Sequence, residues 1–242
     1  MTSRTVEHSP QIYTRLGGAL YLIIIFAGLF SELLVRAKLI VFGSASATAN
    51  NIMASQLLWR LGIASDLIMH VCDIPLMLIL YLLLRAINKK LALLAMLFTL
   101  IQTYVLVTTK LNLFMPLFLS GNADYMKAFE PNQINALIYL SIKYDLNGLN
   151  IGLIFFGFSC LLIGYLIYKS TYFPKVLGIM MQIAGFCYLS NSFVQLLSPA
   201  FADIISPAIL IPSFFGELSF CLWLLVKGVN GSKWEEKIST AT

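Results

Sequence analysis

Six long runs of hydrophobic residues alternate with short polar segments along the chain. A helix needs about 20 apolar residues to cross the hydrocarbon of a bilayer. The runs lack the strict apolar–polar alternation of membrane β-barrel strands, and a helix satisfies its backbone polar groups internally in lipid. The pattern therefore predicts an all-α, polytopic membrane helical bundle with spans at residues 16–35, 57–84, 91–119, 149–168, 176–197 and 207–226.

Composition agrees with a membrane location. Hydrophobic residues make up 59% of the chain and charged residues only 11%, whereas soluble domains are about a quarter charged. A water-soluble fold would lack the polar residues to cover its exterior. We therefore expect one transmembrane domain, residues 15–228, between polar tails at residues 1–14 and 229–242.

Basic residues lie mainly beside the ends of the apolar runs, which is the distribution that orients helices in a membrane. With the N-terminus inside, the cytoplasmic side carries more Lys and Arg than the outer side, and both termini are predicted to be cytoplasmic. The formal charge of +5 is therefore attributed to membrane orientation and not to nucleic-acid binding. The cytoplasmic set is Arg4, Arg15, Arg85, Lys89, Lys90, Lys169, Lys175, Lys227, Lys233 and Lys237, and the outer set is Arg36, Lys38, Lys127 and Lys143.

Breaks in the helical pattern are predicted at three places. Pro75 and Pro212 fall inside the second and sixth runs, where each removes a helical hydrogen bond and should kink the span. Residues 131–144 read as a short helix on the outer membrane surface. A bend before the fourth span is predicted from turn-forming residues, namely Asn147, Gly148 and Asn150.

Ionisable residues deep in the apolar runs are costly in lipid and therefore mark candidate sites. The deeper group comprises Asp66, His70, Asp73 and Glu217. Spacings of four and three residues place the first three on one face of a helix. Because carboxyls outnumber the single histidine at this depth, they require protonation, a bound cation or water. We expect the carboxyls to line a polar ligand-binding pocket between the second and sixth spans.

A second cluster of ionisable residues lies near the outer ends of the first three spans. It contains Glu32, Arg36, Arg60 and Lys110. The cluster has two interpretations, a ligand-binding site or a salt-bridge network that fixes helix register. Long basic side chains can also extend toward the membrane surface while their stems remain in apolar surroundings.

Metal and catalytic chemistry have little support in the pattern. Asp66, His70 and Asp73 are donor types that a divalent transition metal accepts, but the second histidine, His8, lies in the N-terminal tail. No GxSxG motif occurs, and no serine is tied to His70 by spacing. We therefore predict no metal, no cofactor and no catalytic residue.

Four glycines recur at heptad spacing on the fourth and fifth spans. Small residues let membrane helices approach closely, so the spacing predicts tight packing of these two helices. The glycines are Gly157, Gly164, Gly178 and Gly185.

Several stretches in a fixed order give the chain a family resemblance over about residues 13–230. The chain resembles the bacterial membrane proteins grouped as domain of unknown function 4386. The resemblance implies a multi-span protein of the bacterial cytoplasmic membrane and brings no reaction or substrate. Its stretches are Arg60-Leu61-Gly62, Asp66-Leu67, Cys72-Asp73, Leu80 to Arg85, Phe155-Phe156-Gly157, Gly164-Tyr165-Leu166, Ser170, Pro174, Leu177-Gly178, Gly216 to Ser219 and Trp223 to Gly228.

Three functions are compatible with these features. The first is binding or transport of a cation, a proton-coupled solute or a small amphiphile through an acidic pocket in the membrane. The second is a structural or regulatory membrane protein whose polar residues only specify helix packing. The third is an intramembrane enzyme that modifies lipid or quinone. Membrane lipids are the expected partners, with a small-molecule ligand in the first case.

Overall fold

Helices make up the fold. The computed structural model describes residues 10–119 and 127–241, with side chains except those of residues 203–207 and 240–241. Two short segments depart from α-helical geometry, a π-helix at Phe30–Arg36 and a 3₁₀-helix at Lys110–Phe114. The α-helices in the described residues are α1 (Pro10–Leu29), α2 (Ala37–Leu39), α3 (Ala45–Ala54), α4 (Gln56–Leu84), α5 (Lys89–Thr109), α6 (Met115–Leu119), α7 (Pro131–Lys169), α8 (Lys175–Leu197), α9 (Pro199–Ile209), α10 (Ile211–Val226) and α11 (Gly231–Ala241).

Within the described residues, five helical stretches are long and apolar enough to cross a membrane. They overlap the first five predicted spans and are consistent with a multi-pass membrane protein. A sixth candidate pairs α10 with the residues that follow it across a 95° bend. The five stretches are Pro10–Leu39, Gln56–Leu84, Lys89–Leu119, Pro131–Lys169 and Lys175–Leu197.

The predicted kink at Pro212 is instead a break between two helices. α9 ends at Ile209 and α10 begins at Ile211, which places Pro212 in the first turn of α10. A proline is accommodated there because the first helical N–H groups have no intrahelical partner. Pro75, in contrast, lies inside the continuous helix α4 as predicted.

The predicted surface helix and bend at residues 131–150 are wrong. α7 runs without interruption from Pro131 to Lys169, which corresponds to about 58 Å at 1.5 Å per residue. Gly148 serves close packing and not a turn, since a Cβ there would lie 2.8 Å from the Cβ of Thr109.

The chain divides into two compact units. Unit 1 comprises Met1–Ile23, Cys72–Thr103 and Asn150–Thr242, and unit 2 comprises Ile24–Val71 and Tyr104–Leu149. The long helices α1, α4, α5 and α7 each contribute residues to both units.

Unit 1 contains the predicted close contact between α7 and α8. A Cβ on Gly164 would lie 2.6 Å from the carbonyl oxygen of Gly178, and one on Gly185 would lie 2.7 Å from that of Gly157. Real Cβ atoms essentially never approach so closely, so the absence of side chains is what allows the two backbones to meet. The prediction from heptad spacing is confirmed.

Helix α10 of unit 1 packs against two candidate membrane spans. A Cβ on Gly216 would lie 2.8 Å from the carbonyl oxygen of Met180 in α8, and Cys221 Sγ donates to the carbonyl of Gly18 in α1 at 3.4 Å. α10 therefore lies alongside two helices that are candidate membrane spans.

The end of α4 is held by two donors from elsewhere in unit 1. Tyr172 Oη donates to the carbonyl of Leu83 at 2.7 Å, and Trp234 Nε1 of α11 donates to the same oxygen at 3.4 Å. Burial raises the pKa of the Tyr172 phenol, which lies in the loop between α7 and α8. The phenol therefore stays protonated and able to donate at neutral pH.

Unit 2 has a core of aliphatic residues around one buried tryptophan. Trp59 of α4 is 2% exposed and packs in one cluster with Val35, Ile52, Leu113 and Ile138. Its indole Nε1 donates to the carbonyl of Leu113 at 2.8 Å, where the 3₁₀ segment departs from α-helical hydrogen bonding. This core fixes the helices that carry the charged residues described next.

Candidate functional site

The π-helix of unit 2 places the side chains of Ser31 and Arg36 on the same helix face. π-helical hydrogen bonds join residue i to residue i+5, and Arg36 Nη1 donates to Ser31 Oγ, five residues earlier, at 3.0 Å. Ser31 Oγ in turn donates to the carbonyl of Gly28 at 3.1 Å. Arg36 is therefore held inward and is only 8% exposed. Single-turn π segments are frequent at functional sites.

Arg36 joins two carboxylates. It forms a short ion pair with Asp66 of α4, and its Nη1 lies 3.3 Å from Glu32 Oε2. The Asp66 side chain is 2% exposed, whereas that of Glu32 is 57% exposed. One of the two pairs is therefore buried and the other lies at the surface of the unit.

Lys110 forms the second buried pair of unit 2. Its Nζ lies 2.8 Å and 3.0 Å from the two carboxylate oxygens of Asp145 in α7. The same nitrogen lies 3.8 Å from Asp66. Arg36, Asp66, Lys110 and Asp145 thus form one continuous chain of alternating charge.

A cavity of about 190 Å³ opens beside this charge network, entirely within unit 2. One part of its lining is apolar, from Met69, Leu106, Leu146 and Leu149. The ionisable residues that line the cavity are Glu32, Arg36, Asp66, His70, Lys110 and Asp145.

Five of the eight residues predicted as a site meet at this cavity. They are Glu32, Arg36, Asp66, His70 and Lys110, which the sequence had assigned to two separate clusters. Arg60 is exposed and is not among the lining residues. The expectation that Asp66 has no basic partner at its depth is wrong, because Arg36 and Lys110 both pair with it. Side-chain length explains the error, since depth read from chain position ignores how far an Arg or Lys extends.

Asp145 belongs to the site and was not predicted from the sequence. The expected fourth span began only at residue 149 and left Asp145 outside the membrane, whereas the continuous α7 brings it beside Lys110. The helical period could have indicated that Asp145 is buried. It lies on the same helix face as three other residues, Ile138, Ser141 and Ile142. All four are buried.

The other two predicted residues, Asp73 and Glu217, belong to unit 1. Glu217 accepts hydrogen bonds from Tyr188 Oη and, at 2.9 Å, from Tyr21 Oη. Asp73 accepts one from Thr103 Oγ1 at 3.3 Å. Both carboxyls therefore accept hydrogen bonds from uncharged hydroxyl groups.

Among the described residues, no group of three or more His, Cys, Asp and Glu side chains has a geometry that could hold a metal ion. His8 lies outside the described residues.

Comparison with known proteins assigns the family. Residues 16–228 match the family model described as a domain of unknown function, DUF4386. The chain belongs to this family. The predicted resemblance, over about residues 13–230, is therefore confirmed.

One relative comes from Archaeoglobus fulgidus and carries the description uncharacterized protein. It is 38% identical over 92 residues, which are 38% of this chain and 51% of the relative. The chain thus matches about half the length of that protein. No solved structure matches the chain.

Proposed function

We propose that this DUF4386 protein binds a small charged solute inside the membrane, in the cavity of unit 2, and carries it across. The observation that supports the proposal is the convergence of buried charges from α4, α7, the π-helix and the 3₁₀-helix on a space of about 190 Å³. Buried ionisable residues in membrane proteins commonly line solute and ion pathways.

The size and lining of the cavity favour a solute over a single ordered water. A cavity needs about 10–15 Å³ to hold one water molecule, and this cavity has about 190 Å³. Pockets for drug-sized ligands have about 300–1,000 Å³, so a smaller solute fits. Apolar lining on one part and charges on another is the usual composition of a ligand site.

A structural role is the second candidate, and one observation favours it. Each buried basic side chain of the network already has a carboxylate partner, Arg36 with Asp66 and Lys110 with Asp145. Such pairs can specify which helices pack together without binding anything. The two candidate functions differ in one respect: solute binding requires the cavity beside the ion pairs, whereas a structural role does not.

Substitution of Gly28 separates the two candidates, because Gly28 lines the cavity without carrying a charge. A Cβ at this position would meet only Met69 Sδ, at 3.4 Å. We expect Gly28→Leu to fill the cavity and abolish solute retention, and the matched control Gly28→Ala to retain it. Native mass spectrometry of protein extracted from its own membrane measures the bound solute.

Retention of the same solute by Gly28→Leu would contradict binding in this cavity. A protein that carries no adduct in any form, with both variants as stable as the parent, would favour the structural candidate.

We further propose that the protein lies in the cytoplasmic membrane with both chain ends inside, which requires α10 to span. The contacts of α10 with α1 and α8 support a spanning position. A reporter enzyme active only outside the cytoplasm, fused after Thr242, should be inactive, while the same reporter inserted after Gly43 should be active. Activity of the C-terminal fusion would contradict the orientation and indicate five spans.

A further inference from the structure

We infer that one end of unit 1 binds the headgroups of anionic phospholipids, through three basic turns that are joined into a single surface. The basic turns are residues 85–90 at the junction of α4 and α5, 169–175 at that of α7 and α8, and 227–233 at that of α10 and α11. Membrane orientation explains why basic residues gather at helix ends, but it does not supply the negative charge that neutralises them.

The basic turns carry positive charge only. Each begins and ends with Lys or Arg, and none contains Asp or Glu. They hold three, two and two basic residues, all exposed except the half-buried Arg85. Among the described residues, none of these seven side chains forms an ion pair. Glu235 and Glu236 follow the third turn, and the seven positive charges exceed these two by five. This end of unit 1 is therefore complementary to an anionic partner.

Hydrogen bonds hold the three basic turns together. Tyr172 Oη of the second turn donates to the carbonyl of Leu83, just before the first turn, at 2.7 Å. The backbone N–H of Asn230 in the third turn donates to the carbonyl of Tyr172 at 3.3 Å. Trp234 Nε1, one residue after the third turn, donates to the carbonyl of Leu83 at 3.4 Å. The basic residues therefore belong to one surface and not to three separate ones.

The neighbours of two lysines favour a lipid as the anionic partner. Lys169 Nζ lies 5.8 Å from the ring centroid of Tyr165, and Lys175 Nζ lies 5.5 Å from that of Tyr168. Both rings are exposed and belong to α7, a candidate membrane span. Tyrosine rings on membrane spans are enriched at the level of the lipid headgroups. The two ammonium groups are therefore placed to meet lipid phosphates.

The direction of α11 agrees with this placement. The helix turns away from α10 by 95°, so it runs along the membrane surface when α10 crosses the membrane. Its Trp234 is buried and bonded to the end of α4, which keeps Lys233 beside the other basic turns. Basic surfaces between membrane helices are typical binding places for anionic headgroups.

Native mass spectrometry of the full-length protein in detergent measures lipid binding directly. The probes are phosphatidylglycerol, which is anionic, and phosphatidylcholine, which is zwitterionic, both with oleoyl chains. We expect phosphatidylglycerol to bind at least about tenfold more tightly, because each basic residue near an anionic lipid contributes about fivefold. Phosphatidylcholine should bind with an affinity that does not depend on the basic turns.

Neutralising two lysines should weaken binding selectively. Lys169→Gln combined with Lys175→Gln should lower the affinity for phosphatidylglycerol by about 25-fold, at about fivefold for each lysine, and leave that for phosphatidylcholine unchanged. Lys227→Gln combined with Lys233→Gln should give a similar loss if the third turn belongs to the same surface. All four side chains are exposed, so thermal unfolding without added lipid should match the parent.

Lys143→Gln is the matched control. Lys143 is an exposed lysine of unit 2 that also lies over aromatic rings, those of Phe42 and Tyr139, and it is outside the basic turns. Its replacement removes the same charge and the same kind of ring contact. Phosphatidylglycerol affinity should therefore stay within about twofold of the parent, a change of less than about 0.5 kcal/mol.

Two results would overturn lipid binding at this surface. The first is equal affinity for the two lipids, and the second is an equal loss in Lys143→Gln and in the Lys169 and Lys175 double variant. Competition tests other sources of negative charge. Displacement of phosphatidylglycerol by equimolar inorganic phosphate would assign the surface to a free anion, and displacement by a hexaglutamate peptide would assign it to an acidic protein; either would contradict a lipid site. None of these results depends on the cavity of unit 2.

Discussion

Replacing Lys110 with methionine should lower the free energy of unfolding by about 3–5 kcal/mol, the usual cost of removing one partner from a buried ion pair. Lys110 is 5% exposed, and its loss would leave Asp145 buried without its cation. Asp66 would keep its pair with Arg36, so the damage should centre on Asp145. Denaturant-induced unfolding of the purified protein in detergent measures the change.

Two further variants identify the cause. Lys110→Met combined with Asp145→Leu removes both charges and should recover most of the loss, because an apolar pair of similar volume costs little. Lys143→Met removes an exposed lysine of α7 that lies over the rings of Phe42 and Tyr139. It should cost less than about 1 kcal/mol. Equal losses for Lys110→Met and Lys143→Met would show that the buried network does not stabilise unit 2.

Substituting Gly178 by alanine should destabilise unit 1 by about 3 kcal/mol, at the upper end of the usual cost of overpacking. A Cβ there would lie 2.6 Å from both the carbonyl oxygen of Gly164 and the backbone nitrogen of Tyr168. These are backbone atoms of α7, so no side-chain rotation relieves the clash and the two helices must separate. Thermal unfolding of the detergent-solubilised variant provides the measurement.

Gly231→Ala is the matched control, since a Cβ at Gly231 meets nothing within 4 Å. Its effect should stay within about 1 kcal/mol, the ordinary difference between glycine and alanine in a helix. A Gly178→Ala protein as stable as the control would contradict the close packing of α7 and α8.

Features that depend on long, regular patterns could be predicted from the sequence. Apolar runs of about 20 residues have few alternatives to a membrane span, and five of the six predicted runs overlap helices long and apolar enough to span. Glycine spacing predicted the contact between α7 and α8 because backbone approach requires small residues on one face.

Features that depend on local geometry could not be predicted. The π-helix at Phe30–Arg36 aligns Ser31 with Arg36, and no residue type specifies that geometry. Gly148 resembles a turn residue, but tertiary packing against Thr109 keeps it helical. That one difference moves Asp145 from a predicted outer loop into the charge network, where it pairs with Lys110.

The candidate site was therefore predicted by residue type and not by arrangement. The free-energy cost of ionisable groups in lipid is what marked Asp66, Arg36 and Lys110 as candidate residues. Their mutual pairing depends on how far each side chain reaches from its helix. Spacing along one helix carries no such information, which is why Asp73 and Glu217 were grouped with residues of the other unit.

An experimental density map of the protein purified from its own membrane tests the central claim most directly, namely that unit 2 encloses a charged, solute-sized space. The account predicts density that is not protein in the cavity bordered by Asp66, His70 and Asp145. Side chains of α4 and α7 that meet there and leave no space would contradict it.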